Sequence, residues 1–186
     1  VDPRSFELQL RLADQLYFQR RFEEAIPLFE ASMADTIHGR LVPTAGGMAE
    51  NTHLADALRR VGRDADAVKL MDSIEGALAA QQAVGTGGWW HLDSAALAAI
   101  RGNQEQLEYH LEQAIEVGFD WYQLLNLPMF SRVAASEGFQ SLRQRAQELN
   151  AKNRIGILRL ICDENPIPEH WRALDTTCNH APQTKL

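Results

Sequence analysis

Apolar residues recur along this chain at three-to-four spacing, in pairs of short segments separated by tight turn signals, which predicts amphipathic helices joined as hairpins. Leu8, Leu12, Leu16 and Phe18 give a first helix its stripe, Gln19-Arg20-Arg21 is the turn, and Phe22, Ala25, Ile26 and Phe29 supply the next stripe. Pro27 falls inside that second segment but near its first turn, where the missing amide costs little, so the helix is kept. A second hairpin turns at Gly62-Arg63-Asp64 and a third at Gly102-Asn103. Glycine there accepts the positive φ that ends a helix, and the aspartate or asparagine caps the next one. Asn103 with Gln106 has the spacing of a capping box.

The three hairpins share one spacing. It reads Leu12-Ala13-x2-Leu16-x8-Ala25-x3-Phe29-x2-Ser32, then Leu54-Ala55-x2-Leu58-x8-Ala67-x3-Met71-x2-Ile74, then Ser94-Ala95-x2-Ala98-x8-Leu107-x3-Leu111-x2-Ala114. A fixed internal period means stacked supersecondary units. From Ala25 to Ala67 the period is 42 residues, and from Ala67 to Leu107 it is 40. The alanines at 13, 25, 55, 67 and 95 mark positions where paired helices can cross closely. Glycine-rich stretches, His38 to Gly47 and Gly85 to Gly88, connect the hairpins.

The predicted organisation is three hairpins in residues 1–117 (about 6–37, 48–81 and 88–117), short helices and a long C-terminal helix in 118–164, and an extended tail in 165–186. Trp121 to Phe130 reads as one or two helical turns interrupted by Pro128. Ser136 can cap the long helix, with Phe139, Leu142, Ala146 and Leu149 on one face, which either changes its packing surface or breaks near Asn153. Ile167, Trp171 and Leu174 in the tail are suited to covering the end of the array.

The three repeated patterns resemble tetratricopeptide repeats over roughly residues 6 to 117. None carries that family's closing proline, and the periods exceed its usual length of about 34 residues, which also leaves room for HEAT-type helix pairs. The excess falls in the connecting loops while the internal spacing is kept, so the tetratricopeptide reading is preferred. The resemblance implies an all-α fold: an α-solenoid of helix hairpins wound as a right-handed superhelix, closed by C-terminal capping helices. The run from Trp89 to Leu142, with Gly102-Asn103, Leu111-Glu112-x-Ala114-Ile115, Gly118, Trp121 and Gly138-Phe139, is further similar to C-terminal repeats of bacterial signalling proteins. Those attach such arrays to nucleotide cyclase or winged-helix modules.

In that family the first helices of successive hairpins line the concave face. Carried over through the aligned motifs, the face would expose Asp14, Tyr17 and Phe18, then Thr52, His53, Asp56, Arg59 and Arg60, then Leu92, Asp93 and Ala96. Tyr17 and Phe18 either contact a partner there or pack between hairpins, and Asp56 can pair with Arg59 along its own helix. A mixed-charge groove suits a protein or peptide partner, and self-association stays open.

The net charge of −7 disfavours nucleic acid, and the basic knot Arg59-Arg60-x2-Arg63 fits a helix C-terminus better than a phosphate contact. No apolar run approaches the ~20 residues of a membrane helix. The chain begins Val1-Asp2-Pro3, which we read as a processed protein or a piece of a longer one. The compartment is therefore open, with the cytoplasm favoured unless a signal or anchor precedes Val1.

No acid, base and nucleophile converge at any spacing, so the chain reads as noncatalytic, and no cofactor is expected. Glu50-x2-His53 has ligand spacing but occurs once, where di-iron bundles need two copies. Cys162, His170, Cys178 and His180 are metal-capable, yet their spacing fits no standard zinc module, and the two cysteines read as free thiols, with a Cys162–Cys178 disulfide as the alternative. Trp89-Trp90 is either a ligand platform or a wedge between hairpins. The second-ranked functional reading, a small-molecule sensor, places a pocket near Trp89, Trp90, His91 and the turns around Trp121.

Overall fold

Several of the described helix ends rest on local chemistry. The computed structural model describes residues 3–34, 49–82, 87–120 and 122–160. Among these residues the secondary structure is all helical: α1 (Pro3–Phe18), α2 (Phe22–Ala34), α3 (Ala49–Arg60), α4 (Asp64–Gln82), α5 (Gly88–Arg101), α6 (Gln104–Glu116) and α7 (Glu137–Arg159). Two short 3-10 helices, Tyr122–Asn126 and Pro128–Arg132, lie between α6 and α7. Pro128 opens the second of them instead of ending the first, as a residue with fixed φ and no amide to satisfy can.

The turns after α1, α3 and α5 close in the same way. The amide of Arg21 donates to the Leu16 carbonyl at 2.8 Å, that of Arg63 to Leu58 at 2.9 Å, and that of Asn103 to Ala98 at 2.9 Å. In each case the residue just before the donor is left-handed: Arg20 at φ 62°, Gly62 at φ 80° and Gly102 at φ 78°. This is the six-to-one closure that satisfies a helix's last carbonyls. The side chain of Asn103 caps α6 by accepting from the Gln106 amide at 3.2 Å, and Ser136 caps α7 by accepting from the Phe139 amide at 3.3 Å.

Consecutive helices pack on one another: α1 on α2, α3 on α4 and α5 on α6, with α2 against α3, α4 against α5 and α6 against α7. In addition α1 touches α3 and α3 touches α5. The five alanines at 13, 25, 55, 67 and 95 are all 0 % exposed, so each sits where a larger side chain would push helices apart. Phe29, Ile74, Leu107, Phe130 and Phe139 fill the space between, each buried apolar side chain of this kind contributing roughly 1.5–3 kcal/mol.

The helix from Glu137 passes through Asn153 without a break, and the Asn153 amide donates to Asp120 Oδ2 at 2.9 Å. Phe139, Leu142 and Ala146 are buried and Leu149 half-buried, whereas Ile155, Ile157 and Leu160 are exposed. The connecting stretch His38–Gly47, Trp121 and the tail residues Cys162, Ile167, His170, Trp171, Leu174, Cys178 and His180 lie outside the described residues.

Candidate functional site

The concave-face candidates meet one another more than they meet solvent. Tyr17 on α1 donates its hydroxyl to Asp56 Oδ2 on α3 at 2.9 Å, and His53 Nδ1 lies 3.0 Å from Asp14 Oδ1. A carboxylate can only accept, so the imidazole presents its Nδ1–H to Asp14. Both links join residues 39 apart, because the same turn spacing separates Asp14 from Tyr17 and His53 from Asp56. The ring of Tyr17 stacks on that of His53 at 4.5 Å with a 19° tilt.

Asp56 in turn holds Arg60, whose Nε donates to Asp56 Oδ1 at 3.2 Å. The other end of the guanidinium leaves α3 altogether. Arg60 Nη2 donates to the Pro128 carbonyl at 2.6 Å and to Ser131 Oγ at 3.0 Å. The second 3-10 helix is thus bound to α3, and it also packs on α5. Burial and the adjoining Asp56 carboxylate push the Tyr17 phenol well above its ordinary value, so it stays a donor throughout the physiological range.

Several expectations about exposure are therefore corrected. Tyr17, Thr52, His53, Asp56, Leu92, Asp93 and Ala96 are all buried, since α3 from Asn51 to Leu58 and α5 from His91 to Ile100 are enclosed on every side. Asp14, Arg59 and Arg60 are half-buried and only Phe18 is open. Asp56 pairs with Arg60 rather than with Arg59; Arg59 instead donates to the Ile100 carbonyl on α5 and approaches Asp64 to 4.0 Å. Arg63 is bound to Glu30 and Asp66. The basic knot is committed internally, one helix end to the next.

An opening lies elsewhere, in a cleft of about 440 Å³ between α4, α5 and α6. Leu78 and Ala79 of α4 and Leu97 and Ala98 of α5 give it an apolar floor, while Gln82, Gln106 and the Glu75–Arg101 ion pair at 2.8 Å edge it. Trp90 forms one wall and donates its indole N–H to the Leu78 carbonyl at 2.9 Å. Trp90 is accordingly both wedge and wall, since it fixes α5 on α4 and faces the opening. Trp89 rests edge-on against Phe119 at 5.9 Å.

Periodicity alone did not reveal this cleft, because Glu75, Arg101 and His110 come from three helices whose facing sides are set by packing. The one available signal was Trp90 beside His91 in the first turns of α5. His110 lines the cleft, and its Nδ1 lies 3.4 Å from Nδ1 of His91.

Among the described residues no group of three or more His, Cys, Asp or Glu is placed to hold a metal. His53 Nε2 and Ser32 Oγ are buried with no hydrogen-bond partner among the described residues. Neither adds a ligand to the other described candidates. No described helix is long and apolar enough to cross a membrane. Compared with family models, with curated proteins and with solved structures, the chain finds no match.

Proposed function

We propose that this chain is a noncatalytic scaffold or sensor module of the tetratricopeptide type, a right-handed array of helix hairpins that holds a protein or peptide partner as part of a larger bacterial regulator. The observation that carries the reading is the shared turn closure at Leu16, Leu58 and Ala98. These three are equivalent positions of the repeated sequence pattern, so the closure, which also ends α6 at Ala114, recurs in register with that pattern.

On this reading the partner occupies the cleft between α4, α5 and α6. The end of α3 that carries Arg60 is already bonded to the chain's own Pro128–Arg132 segment. A floor of Leu78, Leu97 and Ala98 with a polar edge suits one or two apolar anchors of a partner helix, the rest of the contact being made by the rim. The cleft's volume also falls in the range of small-molecule sites, and that supports the second reading, a small-molecule sensor with Trp90 as platform.

Photo-crosslinkers at Gln82 and Gln106 test the partner reading, with Gln144 on α7 as a distant control. Partner crosslinks concentrated at the two cleft positions are expected. Crosslinks no stronger there than at Gln144 would remove the cleft as the site. A tight low-mass ligand that co-purifies and quenches Trp90 would favour the sensor.

A further inference from the structure

His91 and His110 face each other across the α5–α6 hairpin in a particular way. Their Nδ1 atoms are 3.4 Å apart and their ring centroids 5.7 Å apart. The second distance exceeds the first by about the two ring radii, so both nitrogens lie close to the line between the rings. That is the arrangement of one N–H···N hydrogen bond, with one imidazole donating and the other offering its lone pair. Trp90 packs edge-on against both rings, at 4.9 Å from His91 and 5.4 Å from His110.

The bond has room for one proton between the nitrogens. A first added proton can go to the outer nitrogen of the donor ring and leave the bond intact. A second must go onto the acceptor's Nδ1, which breaks the bond and sets two cations face to face. His91 also sits in the first turn of α5, where the positive end of the helix dipole disfavours a cation. The groups around the pair do little to offset this. Glu75 of α4 is held by Arg101 of α5, and Glu112 of α6 is held by Arg145 of α7. Asp93, two residues on from His91, is buried and has its own partners.

We propose that the His91–His110 bond is a proton-sensitive latch that holds the first turn of α5 to α6 and so fixes Trp90 as the wall of the cleft. When the second proton binds, below the ordinary histidine range, the latch opens and Trp90 loses its support on both rings. Burial holds both imidazoles below their ordinary value, and a charged His91 lowers His110 further. The folded state therefore binds fewer protons than the unfolded chain. Stability is at its full value above pH 6.5 and falls as the pH drops below it.

The test compares the full chain with His110→Gln, which keeps a polar side chain but cannot titrate. Wild type should lose melting temperature between pH 7.5 and pH 5.5 by about 2–4 °C more than the variant does. Tryptophan emission should shift at the lower pH where the second proton binds, in wild type but not in His110→Gln, and the shift should vanish in Trp90→Phe. Long-range nitrogen–proton spectra of the imidazoles give a second readout that does not depend on the variant folding. They should show one hydrogen-bonded Nδ1 in the pair and coupled titration below the ordinary histidine range. Equal pH losses in both proteins, or two independent titrations at the ordinary value, would overturn the latch.

Discussion

Tyr17 on α1 donates its hydroxyl to Asp56 on α3 across 39 residues of sequence, and Asp56 passes the interaction on to Arg60, which binds the Pro128 carbonyl. One line of hydrogen bonds thus links three separate parts of the chain. Asp56 is 5 % exposed, so its charge is carried by these two partners rather than by water. The same line explains how α3 carries a buried aspartate.

Removing the phenol hydroxyl leaves a buried carboxylate short of one donor. Tyr17→Phe should destabilise the fold by about 1–3 kcal/mol in chemical denaturation. The coupling is tested by a double-mutant cycle with Asp56→Asn. If the two losses simply add, the bond contributes nothing and the aromatic stack on His53 does the work.

The three turns predict opposite responses to the same kind of exchange. Gly102→Ala places a Cβ at φ 78° and should cost roughly 1–2 kcal/mol. Arg20→Gly relieves a left-handed arginine at φ 62° and should be neutral or stabilising by up to about 1 kcal/mol. Thermal melts of both variants decide it, and a loss on Arg20→Gly would mean that the arginine side chain itself supports the turn.

Ala67 is 0 % exposed at the point where α4 packs on its neighbours. Ala67→Phe should overpack that crossing and lower stability by about 1–3 kcal/mol. A variant that melts like the parent would show that α3 and α4 are free to separate.

Trp90 predicts a smaller and more local effect. Trp90→Phe keeps the apolar wall but loses the indole bond to the Leu78 carbonyl, for a cost of about 1 kcal/mol. Hydrogen exchange should rise in the last turns of α4 and the first turn of α5 while α1 to α3 stay protected. Uniform loss of protection would make the bond part of a global rather than a local brace.

Helix positions and their ends were legible because they rest on neighbours in sequence. The stripe that buries Ala25, Ile26 and Phe29, the glycines at 62 and 102 and the caps at Asn103 and Ser136 are all satisfied within a few residues, whereas of the first predicted stripe only Leu16 is buried and Leu8, Leu12 and Phe18 are exposed. The small residues at the crossings were legible for a related reason, since close approach excludes anything larger than alanine whatever the partner helix is. The burial of Asp56, Thr52 and Asp93 was not legible. Their exposure depended on whether another segment crosses the first helices, and no local pattern in Pro128–Arg132 states that its carbonyl will meet Arg60.

The sequence by itself thus determined the helices, their turns and which small residues lie between them, because backbone hydrogen bonding and side-chain period act over one or two turns. The tertiary structure decided which polar face is closed and which cleft is open, and that His91 meets His110. Those outcomes depend on contacts between distant segments, where geometry rather than local propensity selects the partner.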